Sequence, residues 1–215
     1  FTYGNPYPAT WGEVVTLAQR FNLDLLLPGT TYGTLTAALH DTRRVTAVSA
    51  QGVFAPRVSP ARNMTVDGAD AQRARTLGSL TPRVAWTAPE VGTPSVYRVR
   101  VSRLYVSKDG TRTEASHVAY LSTKETSVDV LPGLLLPGQT YVFTIFAYLT
   151  PEVDLSSHPY AHQVSTDVAD AQTLSGILST PTTLGPQRVG LAEAPAPTAP
   201  DALEFKAPRG LAHEP

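Results

Sequence analysis

Two histidines four residues apart, His158 and His162, are the nearest thing in this sequence to a metal-binding pair, because side chains at i and i+4 of a helix converge on one ion. Pro159 follows His158 directly and pushes it out of the helical region. No third ligand stands at a useful spacing, so the pair reads as a solvated loop. His40-Asp41, with Thr42 and Ser49 close by, holds the residue types of a hydrolase: a base, an acid to orient it and a hydroxyl to attack. It lacks the Gly-flanked nucleophile elbow that would aim such a hydroxyl, and no deep cleft is expected around it. Asp67, Asp70, Glu152 and Asp154 fall in expected loops, where carboxylates serve turns and solubility; calcium would need several of these oxygens to converge. Asn63-Met64-Thr65 matches a glycosylation acceptor but reads as the start of a strand. His117 and His213 have no catalytic setting. The expectation is a protein that is not an enzyme, with no catalytic, cofactor-binding or metal residues and no cofactor.

Composition narrows the partners. The 215 residues carry 17 basic and 18 acidic side chains, for a net charge of -1, so there is no electrostatic footprint for nucleic acid or an anionic membrane. Cysteine is absent, which removes disulfides, thiolate metal sites and cysteine nucleophiles together. No run approaches the ~18 apolar residues of a membrane span. Arginine dominates lysine, and Ala, Thr and Pro are abundant, a balance that suits a high-GC bacterial genome. The chain starts at Phe1, without an initiator Met or a charged and apolar leader, and reads as a fragment or processed product.

The elements that must position these residues are organised around Leu134 to Ala147. Pro137-Gly138 is a turn, and Tyr141, Phe143, Ile145 and Ala147 follow at period two, the pattern of a strand with one buried face. Leu25 to Tyr32 repeats Leu134 to Tyr141 at every position but one, with Thr30 where Gln139 stands, which suggests tandem modules. Residues 14–25 fit either a helix or a strand, with strand preferred because this second Pro-Gly turn follows. After Tyr32 the alternation passes to Leu35, Ala37 and Leu39, of opposite parity, so a bulge or a different packing is needed there. Val45, Ala47 and Val48 suggest a further strand. Downstream, Asn63 to Val66 and then Val84 with Trp86 read as strands. Tyr97, Val99 and Val101 alternate inward against Arg98, Arg100 and Ser102 outward. Lys108-Asp109-Gly110-Thr111 is a hairpin turn, Val118 with Tyr120 and Val128 with Val130 make further strands, and the last lies between Val164 and Leu178. Asp167 to Ala171 also has helix-like features. Past Thr180 the chain turns Pro- and Ala-rich, and Leu203, Phe205 and Leu211 are its large apolar residues.

With Trp86, Tyr97 to Val101 and Leu135-x-Pro137-Gly138-x-x-Tyr141-x-Phe143-x-Ile145-x-Ala147 in this order, residues 62–179 resemble a fibronectin type III domain. The resemblance implies an immunoglobulin-like β-sandwich, with Trp86 filling the core and Tyr141 hydrogen-bonding back to the backbone as a tyrosine corner. The approach Leu131 to Leu136 is longer than the family's pattern. The architecture expected is all-β: residues 1–56 as the second half of an upstream sandwich, 57–61 as a linker, 62–179 as the fibronectin type III-like domain and 180–215 as a tail. Trp86, Tyr97, Tyr141, Phe143 and Ile145 form the expected core. Leu104, Val142, Phe146 and Tyr148 should share the opposite sheet face, a candidate interaction surface covered by residues 1–56, by the tail or by another chain. The family is a scaffold class, and its members imply a secreted or cell-surface binding or spacer protein whose partner is a neighbouring module or another chain. Two alternatives stay open. One is a structural subunit of an extracellular assembly completed by strand or tail exchange; the other is an accessory module of a larger extracellular enzyme, with Tyr3, Tyr7 and Trp11 near a carbohydrate.

Overall fold

Alternating apolar residues separated by turn chemistry produce strands almost throughout. The computed structural model describes residues 8, 12–48, 55–150 and 167–182, all within the compact unit Phe1–Leu184. Among the described residues twelve strands run in the order β1 (Val14–Asp24), β2 (Thr34–Arg44), β3 (Arg62–Val66), β4 (Ala69–Asp70), β5 (Arg75–Thr76), β6 (Arg83–Thr87), β7 (Val96–Val106), β8 (Thr113–Thr123), β9 (Ser127–Asp129), β10 (Thr140–Leu149), β11 (Val168–Leu174) and β12 (Leu178–Ser179). The larger sheet is ordered β1-β2-β11-β10-β7-β8, with β12 and β5 continuing beside the start of β10; the smaller is β4-β3-β6-β9. The protein is all-β, two sheets packed face to face as a β-sandwich.

The core between the sheets is apolar. From the smaller sheet and its flanks come Val58, Met64, Val66, Val84 and Trp86; from the larger come Leu39, Val99, Val101, Phe143, Ile145, Ala169 and Leu178. Trp86 meets Tyr97 edge-on, with ring centroids 5.2 Å apart, a geometry that the ring quadrupoles favour. Tyr141 is fully buried, and its hydroxyl accepts the backbone N–H of Leu136 at 2.8 Å. That bond ties the lengthened turn approach to the strand that follows it.

Residues 14–44 form a hairpin with unbroken antiparallel register, from Val14 opposite Arg44 to Asp24 opposite Thr34. Its β2 pairs with β11, placing His40 opposite Asp170 and Leu39 opposite Ala171, so the hairpin extends the larger sheet of the same sandwich. Both Pro-Gly turns form, with Gly29 and Gly138 at φ +86° and +66°, where a side chain would be strained. The likeness stops at the turn: Tyr32 is 61% exposed and Tyr141 fully buried. Tyr32 instead bridges to Arg112, outside β2, and β2 starts afresh two residues later, which reconciles the two parities. One expectation is corrected. The strand sought around Val45 to Val48 is a 3₁₀ turn over Val45–Ala47, because β11 starts opposite Thr42 and offers no partner beyond it. The strand expected between Val164 and Leu178 forms as β11, which takes in Val168 to Ala171 despite their helix-like features, held between β10 and β2.

Candidate functional site

Leu104, Val142, Phe146 and Tyr148 lie on one face of the larger sheet, the one turned away from the sandwich core. Register brings them together, since Thr140 stands opposite Leu104, Val142 opposite Ser102 and Phe146 opposite Arg98. The face divides into two halves. In one, Leu104 and Val142 are buried in a second apolar cluster with Leu25, Ala37 and Leu174, flanked by Leu27, Leu35 and Ile177. The cover comes from the β1–β2 connection, which crosses the sheet as a strap and fastens at its far side. Leu27 N–H donates to Thr113 Oγ1 (2.9 Å), Thr31 N–H to the Thr111 carbonyl (2.9 Å) and Thr113 N–H to the Tyr32 carbonyl (2.7 Å). Gly33 permits this closure, because a Cβ there would collide with the Leu25 carbonyl and come within 2.6 Å of Thr113 Cβ.

The other half is an arginine–aromatic ladder. Phe146 stacks on Tyr148 at 5.7 Å with rings nearly parallel, Arg100 lies 5.0 Å over Phe146, and Arg98 sits between Tyr120 (5.3 Å) and Tyr148 (5.7 Å). Each such contact is worth about 0.5–2 kcal/mol, more as water is excluded. Here the alternation rule misleads: Arg98 points away from the core as expected, yet it is only 8% exposed, because tyrosines from both neighbouring strands close over it. Burial pushes the Tyr148 phenol up to about 12, and the charge of Asp170 adds to the effect.

The side chains with catalytic chemistry are placed by β2 and β11, and each is engaged in packing bonds. His40 Nδ1 lies 3.3 Å from Asp170 Oδ1 across the two strands. Burial raises the Asp170 carboxyl, against the pull of a hydrogen bond from Gln172 and of His40. Asp41 points to the opposite face and is fully buried. It accepts Arg43 Nε and Nη2 at 3.0 and 2.6 Å and the backbone N–H and Nε of Arg57 at 3.1 and 3.0 Å. Burial works to raise this carboxyl, and the bonds from Arg43 and Arg57 outweigh it and hold it below its ordinary value. Arg57 reaches on to Asp167, so one guanidinium ties the segment before β3 both to β2 and to the residue just before β11. Adjacent in sequence, His40 and Asp41 thus face opposite ways and form no dyad. His117 Nδ1 pairs with Ser102 Oγ at 3.1 Å, and burial and Arg100 lower its pKa. Asp67 and Asp70 cap turns, accepting the N–H of Arg83 and of Gln72. Among the described residues no three of His, Cys, Asp and Glu gather closely enough to hold a metal ion, and no helix is long and apolar enough to cross a membrane. Tyr3, Tyr7, Trp11, Ser49, Glu152, Asp154, His158, His162, His213, Leu203, Phe205 and Leu211 lie outside the described residues.

One surface was missed by reading the sequence. Strand β1 pairs only with β2 among the described residues, and its other edge carries an unbroken row of backbone donors and acceptors. On its core-side face Phe21 and Leu23 are 51% and 43% exposed. They form one wall of an open groove of ≈ 610 Å³ whose floor is Leu174 to Gly176 and whose far wall is Ala61, Asn63 and Gln72. The signal was present as the alternation of Val15, Leu17, Phe21 and Leu23 around a polar Gln19. No protein-family model matches the chain, and no curated protein matches it in sequence.

Proposed function

We propose that this chain is a non-catalytic binding and spacer module that engages a protein partner by strand addition along β1. The observation that carries the reading is the edge itself. Native sheets blunt an exposed edge with proline, lysine, bulges or short strands; β1 runs for 11 residues with neither proline nor lysine, without a register shift, and with four large apolar side chains exposed. Such an edge supplies affinity through main-chain bonds and selectivity through alternate side chains. Support for a non-catalytic role comes from where the polar groups are spent: His40 on Asp170, Asp41 on two arginines and His117 on Ser102. The likeness of residues 62–179 to a fibronectin type III domain rests on Trp86, the Pro137-Gly138 turn and the Tyr141 bond to Leu136. It is this resemblance that points to a secreted or cell-surface protein, and the Arg-, Ala-, Thr- and Pro-rich composition that points to a bacterial one. The test is turnover. Intact chain offered chromogenic ester, glycoside and phosphoester substrates returns none; activity that His40→Ala or Asp170→Asn abolishes would overturn the reading.

A further inference from the structure

We infer that the partner of β1 is the β1 of a second copy of this chain, paired antiparallel about a two-fold axis through Gln19. This deepens the strand-addition reading and rests on it. The argument is the symmetry of the strand. Its core-side face reads Val15, Leu17, Gln19, Phe21, Leu23, an apolar pattern that is the same in both directions about Gln19. Antiparallel pairing on that centre sets Val15 against Leu23, Leu17 against Phe21 and Gln19 against its own copy, with all 11 residues paired. Shifting the centre to Ala18 sets Leu17 against Gln19 and leaves Leu23 opposite Glu13; shifting it to Arg20 sets the two arginines face to face. One register therefore satisfies every apolar side chain, and a one-residue slip turns them to the wrong face.

The interface is isologous, so it closes: each copy spends its β1 edge on the other and no open filament follows. The far edge of the larger sheet is a poorer template, since β8 slips register between Val101 and Ser102 and its start is already bridged to Tyr32. Two 11-residue strands with Phe21 and Leu23 covered approach the lower end of stable interfaces, about 1,000 Å² in total, which suits a reversible dimer. On the outer face the two Arg20 side chains stand diagonally across the axis, so the dimer should tighten as salt screens them.

The absence of cysteine makes the register directly testable in the full chain. An antiparallel pair holds Cα atoms about 4.5–5.5 Å apart, inside disulfide range, so Gln19→Cys should crosslink into a dimer under mild oxidation. Val15→Cys should not, because the two substituted positions would lie about 27 Å apart along the strands, eight residues at 3.4 Å each. Sedimentation of the unsubstituted chain should show a concentration-dependent dimer that Leu17→Lys weakens at least tenfold. A monomer at all concentrations overturns the proposal while leaving a non-self partner for β1. Equal crosslinking at positions 15 and 19 overturns the register. A monomer that dimerises only after residues 183–215 are removed also overturns it, by making the tail the occupant.

Discussion

Replacing Asp41 with Asn tests whether one carboxylate holds the segment before β3 against the larger sheet. The side chain is fully buried and accepts four donors from Arg43 and Arg57, and Asn keeps the shape while presenting an NH₂ to guanidinium groups that also donate. Breaking a buried pair from one side costs roughly 3–5 kcal/mol. Both arginine side chains keep about a fifth of their surface exposed, 19% and 23%, and can rehydrate, so the cost here should be about 2–4 kcal/mol. For a chain of this size that is a fall in Tm of about 5–12 °C, read by circular dichroism at pH 7. The pH dependence adds a second constraint. Asp41 titrates below its ordinary 3.8 in the folded protein, so its contribution is complete above that value and is lost as the pH falls through the folded one. The gap between the unsubstituted chain and Asp41→Asn should be constant at neutral pH and close below about pH 3.8. A variant that melts within 2 °C of the parent at pH 7, or a gap that persists unchanged in acid, would refute the clamp.

Four further outcomes are expected. Trp86→Ala should cost about 3–5 kcal/mol, seen as a lowered urea midpoint, because its ring fills the core against Tyr97. Tyr141→Phe should cost about 0.5–1.5 kcal/mol by removing the hydrogen bond to the Leu136 N–H, with near-ultraviolet dichroism of the core retained. Gly33→Ala should overpack the strap by about 1–3 kcal/mol and speed hydrogen exchange at Leu27 and Thr31 while β10 amides stay protected. Asp170→Asn should stabilise the protein at pH 7: burial raises the folded Asp170 above 3.8, so its contribution is present below that value and lost as pH rises through the folded one. The gain should vanish in acid, and melts at pH 3 and pH 7 distinguish the two regimes.

The parts of the fold legible in the sequence are those in which period and turn chemistry agree locally. Pro137-Gly138 followed by Tyr141, Phe143 and Ile145 is enough to define β10, and the Asp109-Gly110 turn defines the β7–β8 hairpin. Illegible were the facts set by partners far away. The two Pro-Gly turns look alike because a turn is local; whether the following tyrosine is buried depends on what lies against it, which is sandwich core for Tyr141 and solvent for Tyr32. Alternation fixed the direction of Arg98 but not its environment, which Tyr120 and Tyr148 create from flanking strands. The face of Leu104 and Val142 could be named from parity alone, whereas its cover, the Leu25 to Gly33 strap, follows from hydrogen bonds to Thr111 and Thr113 some 80 residues downstream.

The position of β2 beside β11 has a consequence for synthesis. The hairpin leaves the ribosome well before the strand that receives it, with His40 and its partner Asp170 separated by 130 residues. At about 5–20 residues per second the hairpin waits roughly 6–26 s for its neighbour, far longer than the microseconds it needs to form. Throughout that interval both of its edges are open and Phe21 and Leu23 face water, so a nascent chain on one ribosome can meet the hairpin of the next.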